Sequence, residues 1–318
     1  MDEFELIRKF FARSSADPDV VLGVGDDGAI LRPAAGRELV VVADSLVDGV
    51  HFPHDMDAAD IGYRSVAVNL SDIAAMAARP RWMTLSLTLA ASDERWLERF
   101  SLGLYEVADE YAVALVGGDT TRGAETVITV QVIGDVEPGR ALRRSGAMPG
   151  DALYVSGTPG DAAAGLALWQ QDAVQGDVAS SLYGRFARPT PRIALASRLA
   201  GLASAAIDVS DGLYADIGKL LAASRAGGRI DIGHLPLSSS LTAILGDDEA
   251  TRIALGGGDD YEIAFSASPD KARAIGELAD ELSLRVTRIG EVTDGDALHC
   301  LRNGRPFDYR DAGYRHFD

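Results

Sequence analysis

The sequence predicts a two-domain protein in which each half mixes α-helices with β-strands. Three observations carry that expectation. At 318 residues and 47% hydrophobic, the chain is long enough for two cores rather than one. Short apolar or β-branched runs alternate with longer segments whose apolar residues recur at helical spacing. Around Pro138 to Gly150 the texture turns to Pro, Gly and Arg, which places a boundary between a domain 1–137 and a domain 138–318.

Residues 2–13 carry Phe4, Ile7, Phe10 and Phe11 at helical spacing and are expected to form a short amphipathic helix. Leu39-Val40-Val41-Val42 reads as a buried strand ending at Asp44. From Asp57 to Ala78, the spacing of Ile61, Val66, Leu70, Ile73 and Met76 predicts a long helix, stopped before Pro80. Trp82 to Leu89 follows as a strand, Asp93 to about Tyr111 as a helix, Val113 to Val116 as a strand leading to Gly117-Gly118, and Thr126 to Val136 as a β-branched strand. In the second half, helices are expected near Ala162–Gln171, Pro191–Leu202 and Gly212–Arg225. A strand is expected at Ala205–Val209, with more mixed elements to the end.

Composition narrows the function. The formal charge of −18, from 30 Lys+Arg against 48 Asp+Glu, argues against nucleic acid, whose phosphates are gripped by clustered cations. Only three lysines occur (Lys9, Lys219 and Lys271), so a chain this acidic needs divalent cations as compensating charge if it handles phosphates. The acidic start, Met1-Asp2-Glu3-Phe4-Glu5, is unlike a signal peptide, and no apolar stretch approaches a membrane span. A lone cysteine, Cys300, suits a reducing cytoplasm.

Gly23-Val24-Gly25-Asp26-Asp27-Gly28 fits G-x-G-x-x-G to the letter, yet it is not expected to bind a dinucleotide. That turn must open a helix, and here the extended, proline-ended Ala29-Ile30-Leu31-Arg32-Pro33 follows. Two carboxylates in the loop would also repel a bare pyrophosphate, so a loop that holds a cation fits better. No P-loop, protein-kinase triplet or EF-hand spacing is present. What remains is a set of aspartates at strand ends and one on a helix: Asp27, Asp44, Asp72, Asp119, Asp208 and Asp211. Magnesium binds through one or two carboxylates plus substrate phosphates, which suits separated aspartates. The plain alternative is that each caps a turn or a helix.

Asp72 lies in an otherwise apolar helix and shares a face with Asn69. A solvent-facing stripe is the other explanation. Asp208-Val209-Ser210-Asp211-Gly212 sits where a strand gives way to a helix, so Ser210 or Asp211 is a candidate N-cap, and the same exposed N–H groups can receive a phosphate. Arg143-Arg144-Ser145-Gly146 offers a guanidinium for a phosphate, or merely a solvated surface.

Seven stretches now stand in order over nearly the whole chain. They are Gly25-Asp26-Asp27 with Asp44, Asn69 to Met76, Gly117-Gly118-Asp119-Thr120-Thr121, Arg144-Ser145-Gly146, Asp208 to Gly212, Asp260-Tyr261-Glu262, and Gly313-Tyr314-Arg315-His316-Phe317. Together they resemble the thiamine-monophosphate kinase family of the aminoimidazole-ribonucleotide-synthetase superfamily.

The resemblance implies an α+β, two-domain fold: an N-terminal domain whose mixed sheet pairs in a homodimer, and a C-terminal α+β domain closing over nucleotide and substrate. It implies a cytoplasmic transferase using ATP, thiamine monophosphate and several Mg2+ ions. By the same resemblance Asp27, Asp44, Asp72, Asp119, Asp208 and Asp211 would ligate magnesium. Gly118, Asp119, Arg144 and Ser210 would contact the nucleotide, and His51, Asp259 and Tyr314 the thiamine phosphate. Two positions depart from the family. Asp259 stands where a glutamate is usual and is one methylene shorter, and Ala43 replaces a hydroxyl residue, leaving a backbone carbonyl as the possible ligand.

The expected chemistry is direct in-line transfer, since a phosphate acceptor is already ionised and needs no general base. The rival readings are another ATP-using member of the superfamily and a non-catalytic metal- or nucleotide-binding protein. Selenophosphate synthetases usually need a reactive Cys or selenocysteine near the N-terminus, and hydrogenase-maturation relatives a C-terminal cysteine; this chain has Cys300 alone and ends in Phe317-Asp318.

Overall fold

The computed structural model describes residues 2–13, 15–310, 313, 314 and 317; Arg315 and His316 of the terminal motif lie outside the described residues. The chain divides into two compact units, Met1–Ile73 with Ala78–Gly139, and Ala74–Ala77 with Arg140–Asp318. Both are α+β, as expected. No described helix is long and apolar enough to cross a membrane.

The first unit begins with α1 (Glu3–Leu6), which runs into a π-helical turn at Ile7–Phe11, and a small hairpin of β1 (Val20–Leu22) and β2 (Ile30–Leu31). Then follow β3 (Glu38–Val47), α2 (Ala58–Ala75), β4 (Arg79–Leu89), α3 (Glu94–Glu110), β5 (Ala114–Arg122) and β6 (Val127–Val136). The four long strands form a mixed sheet in the order β3-β6-β4-β5, with β4 and β5 parallel and the other pairs antiparallel. Its buried side chains, among them Met83, Leu87, Ile128, Val130 and Val132, are 1% exposed or less.

Leu97, Phe100, Leu104 and Val107 form the buried stripe of α3, whereas α2 is buried on every side from Ile61 to Ser71, with Arg64, Ser65 and Asn69 as enclosed as Val66 and Leu70. The two helices touch backbone to backbone: a Cβ on Gly62 would lie 2.1 Å from the Phe100 carbonyl oxygen, and one on Gly103 1.8 Å from that of Ala59. Ahead of β1, buried Arg81 ion-pairs with Asp19 at 2.7 Å, Asp135 at 2.9 Å and Asp17 at 3.3 Å. That network anchors the segment leading into the Gly25–Gly28 loop to strands β4 and β6.

The second unit contains β7 (Ala152–Ser156), α4 (Asp161–Gln170), α5 (Gly176–Ala187), α6 (Ile193–Leu199), β8 (Ala205–Val209), α7 (Leu213–Ser224) and β9 (Gly227–Asp231). It continues with α8 (Ser239–Leu245), α9 (Asp247–Gly256), β10 (Glu262–Ala267), α10 (Ala272–Glu281), β11 (Val286–Thr293), β12 (Leu298–Arg302) and β13 (Arg305–Phe307). Seven strands are ordered β13-β12-β9-β11-β7-β10-β8, antiparallel except for the β9–β12 pair.

Strands β7, β8 and β10 are buried along their whole length because helices cover both faces. Leu153 and Val155 pack with Leu213, Ile217 and Leu220 of α7 on one side, whereas Tyr154 and Phe265 pack with Leu195 of α6 and Ile275 of α10 on the other. This is the period-two alternation of a strand between two layers. Glu262, with 0% exposure, is held by Arg185 at 2.5 Å, by Arg192 at 2.5 and 2.6 Å and by the Ser156 hydroxyl at 2.6 Å. Burial alone would raise its pKa, but the two guanidinium groups outweigh that and hold it below the ordinary glutamate value.

Candidate active site

In the first unit, two of the nominated loops line one cavity of about 400 Å3. Asp26 and Asp27 of the β1–β2 loop form one wall, and Gly117, Gly118 and Asp119 of β5 another, while Phe4, Ile7 and Phe11 supply an apolar side. The backbone N–H of Asp27 donates to the carboxylate of its neighbour Asp26 at 2.8 Å, which holds that side chain against the loop's own backbone. On β5 the parallel register with β4 slips by one residue, from Met83–Leu115 to Thr84–Gly117, so Val116 is the bulged residue. Gly118 then sits at φ +149°, where a Cβ would lie 1.8 Å from the Leu85 carbonyl oxygen. Only glycine brings the backbone this close beside Asp119.

Asp44 lies on the edge strand β3 and is tied to α2. The Asn69 side-chain oxygen accepts its N–H at 2.9 Å, and the Asn69 amide donates to the Ser65 carbonyl at 3.0 Å. Asp72 follows one helical turn after Asn69 and is half-buried, not a member of an exposed stripe. Asp44, Val130, Leu85 and Gly118 occupy one row across the sheet. Three strand spacings separate the ends of that row, roughly 14 Å. The first-unit carboxylates therefore gather around two points, the β5 cavity and the β3–α2 contact.

His51 is in the turn after β3. Its Nδ1 accepts the Val47 N–H at 3.0 Å and its own N–H donates to the Val47 carbonyl at 2.9 Å, so the ring proton of the neutral imidazole belongs on Nε2.

In the second unit, β8 delivers Asp208, 5% exposed, to its C-terminal end, where Ser210 and Asp211 lead into α7. Neither of the candidate caps, Ser210 and Asp211, caps α7: Gly212 is the N-cap residue and there is no side-chain cap bond. Instead Asp216, from the first turn of the helix, reaches back and accepts the N–H groups of Ser210 and Asp211, each at 3.0 Å. Asp216 is 1% exposed. Burial raises its pKa, opposed by Lys219, whose ammonium bonds it at 2.7 Å and also pairs with Asp211.

The glycine-rich loop before β10 docks on the same turn. The Asp259 N–H donates to the Ser210 carbonyl and the Tyr261 N–H to that of Val209, both at 2.8 Å. Asp259 and Tyr261 both have positive φ, +68° and +52°. Between them Asp260 is 1% exposed and accepts the N–H of Gly160 at 2.7 Å and of Ala162 at 3.4 Å, which anchors the strained loop to the start of α4. Burial pushes the Asp260 pKa well up. The Tyr314 N–H donates to the Asp211 carbonyl at 3.3 Å, so Ser210, Asp211, Asp259 and Tyr314, distant in sequence, meet at one place. The backbone of Arg144 stands elsewhere. Its carbonyl accepts the hydroxyl of Ser224 at the far end of α7, a helix of 12 residues, and such a helix is about 18 Å long.

Sequence reasoning missed Asp216, Lys219 and the capping role of Asp260. The available signal was spacing: Asp216 and Lys219 are three apart in an otherwise apolar helix. Among the described residues, no three His, Cys, Asp or Glu side chains lie close enough to hold a metal by themselves. The nominated donors are all hard oxygens, the chemistry of magnesium rather than of zinc, and magnesium completes its shell with phosphates and water.

The fold and the ordered motifs define a class. Residues 25–136 match the AIR synthase related protein, N-terminal domain, and residues 148–300 the AIR synthase related protein, C-terminal domain. Within that class the chain is 46% identical to the thiamine-monophosphate kinase of Escherichia coli K12, over 99% of this chain and 98% of that one. Among solved structures it is similar to the thiamine-monophosphate kinase of Stenotrophomonas maltophilia K279a, with a TM-score of 0.89 and 47% identity over 96% and 98% of the two chains. It is also similar to AaThiL complexed with AMPPCP and TMP, with a TM-score of 0.80 and 30% identity over 90% and 89%. The chain belongs to the thiamine-monophosphate kinase family.

Proposed function

We propose that this chain transfers the γ-phosphoryl group of ATP to the phosphate of thiamine monophosphate, releasing thiamine diphosphate and ADP. The observation that carries the reading is the fold shared over 90% of the chain with a protein solved with AMPPCP and TMP together. An acceptor phosphate monoester has its second pKa near 6, so its oxygen is an anion at neutral pH and needs no general base. That oxygen forms the new bond to the γ-phosphorus as the bond to the β,γ-bridging oxygen breaks, and ADP leaves with the electron pair. The work of the protein is to position two anions and offset their repulsion.

Asp27, Asp44, Asp72 and Asp119, with the Ala43 carbonyl, and Asp208 and Asp211 are assigned to hold magnesium. Bound magnesium supplies charge neutralisation at the phosphoryl oxygens. The backbone at Gly118, with Asp119, is assigned to the nucleotide, as are the Ser210 hydroxyl and the Arg144 guanidinium, whose fork suits phosphate oxygens. His51, Asp259 and Tyr314 are assigned to thiamine phosphate; the Asp259 carboxylate suits its cationic thiazolium ring. Leu39 and Val41, 49% and 56% exposed on edge strand β3, support a homodimer. The protein is assigned to the cytoplasm.

A coupled ADP-release assay with thiamine, thiamine monophosphate and formylglycinamidine ribonucleotide tests the reading. Turnover is expected with thiamine monophosphate and magnesium together. Turnover with formylglycinamidine ribonucleotide instead, or nucleotide binding without turnover on any acceptor, overturns it.

A further inference from the structure

Lys219 is one of only three lysines in the chain, and its ammonium bridges two carboxylates at the turn between β8 and α7. The two contacts differ in kind. Asp216 is 1% exposed and already accepts two backbone N–H groups, so its charge, removed from water, depends on the ammonium 2.7 Å away. Asp211 has a side chain 34% exposed and open to an incoming ligand. The ammonium is therefore fixed to the first carboxylate and shared with the second. Lys219 lies three residues after Asp216 on one helix face, and it cannot withdraw without stripping its buried partner.

We infer that Lys219 is a tethered counter-ion that competes with a dication for Asp211 and so sets how tightly the turn between β8 and α7 takes metal. The inference rests on the assignment of Asp211 as a magnesium ligand. A dication that binds Asp211 must displace the ammonium from that carboxylate, and the ammonium then stays beside it on Asp216. Both effects weaken binding relative to a bare aspartate. In the absence of metal, the same contact keeps the Asp211 carboxylate in place beside Asp216 despite their like charge. Lys219 is a positioning residue here: it acts through Asp211, with no contact to the reacting atoms required.

The test is direct Mn2+ binding, read as free Mn2+ by electron paramagnetic resonance, on the full chain with and without AMPPCP. Asp211→Asn identifies the sites that depend on that carboxylate. At those sites Lys219→Met is expected to bind Mn2+ about three- to tenfold more tightly, the scale of one partly exposed charge contact. Lys219→Arg is expected to restore the wild-type value. If Lys219→Met fails to fold, the double variant Lys219→Met/Asp216→Asn carries the comparison, because an asparagine oxygen still accepts the Ser210 and Asp211 N–H groups. It is expected to bind more tightly as well. Weaker or unchanged Mn2+ binding in these variants, alongside a loss in Asp211→Asn, overturns the inference and leaves the ligand assignment standing. Unchanged binding in Asp211→Asn overturns the assignment itself and the inference with it. A lysine with a purely structural role, or one that grips a phosphate, gives weaker or unchanged binding when removed.

Discussion

The side-chain oxygen of Asn69 accepts the backbone N–H of Asp44 at 2.9 Å, joining an edge strand to a helix through a residue that is itself fully buried. Asn69 also donates to Ser65 one turn back, so its amide is satisfied at both ends. Asn69→Ala removes both bonds and is expected to lower stability by about 1–3 kcal/mol. Because Asp44 loses its tether, the magnesium concentration for half-maximal ADP release should rise at the same time. A thermal melt and a magnesium titration check the two effects, and an unaltered titration would detach Asp44 from metal binding.

Asp72 stands one turn beyond Asn69, half-buried on the same helix. Asp72→Asn keeps the shape and deletes the charge. Turnover should fall about 100-fold, the usual scale for losing one preorganised electrostatic contact, with the melting temperature little changed. Wild-type turnover by the purified variant at limiting magnesium would remove Asp72 from the metal assignment.

Gly103 and Gly62 let α3 and α2 meet without side chains between them. Gly103→Ala puts a methyl group 1.8 Å from the Ala59 carbonyl oxygen unless the helices part. The expected cost is about 2–3 kcal/mol. Urea denaturation should show it, with the Michaelis constant for ATP unaffected, since the contact lies in the helix layer.

Glu262 neutralises Arg185 and Arg192 from a fully buried position. Glu262→Gln leaves those guanidinium groups without a counter-charge and should cost about 3 kcal/mol or more. The wild-type protein carries the matching pH signature. The folded-state pKa of Glu262 lies below its ordinary 4.5, so the stability from this pair is fully present above that value and is lost as pH falls through the folded pKa. Melting temperatures of wild type and Glu262→Gln should therefore converge at strongly acid pH. A constant gap between them would deny the linkage.

Much of the fold was legible because hydrophobic periodicity reports burial. The strand expected at Ala205–Val209 is β8 to the residue, and the long helix expected from Asp57 is α2, with Ile61, Val66, Leu70 and Ile73 all buried. Where tertiary pairing overrides local signals, the reading stopped short. β5 continues past Val116 through two glycines to Arg122 because β4 supplies a parallel partner, and β3 continues past Asp44 to Val47 along β6. The helix expected over residues 2–13 breaks into one α-turn and a π-helical turn. α5 passed unread, its modest apolar pattern becoming clear only with Leu182 and Phe186 buried.

In the candidate site, aspartates next to glycine announced themselves, and the structure gathers Asp27 with Asp119, and Asp211 with Asp259 and Tyr314. Asp216 was illegible because a buried acid and a surface acid look alike in sequence. Its direction back toward Ser210 depends on a turn that no periodicity describes.

The two turns that present Ser210–Asp211 and Asp259 take their anchors from very different distances along the chain. Asp216 secures the first across five residues, whereas Asp260 secures the second by reaching Gly160 across one hundred. Loop-closure entropy makes the longer connection dearer by roughly 2.7 kcal/mol. During folding, the Ser210–Asp211 turn can therefore take its final shape as soon as the first turns of α7 exist. The Asp259 bend, with two residues in left-handed conformations, has to wait until β10 and α4 have found each other. On a ribosome, the partners of the Ser210–Asp211 turn are therefore all present before those of the Asp259 bend.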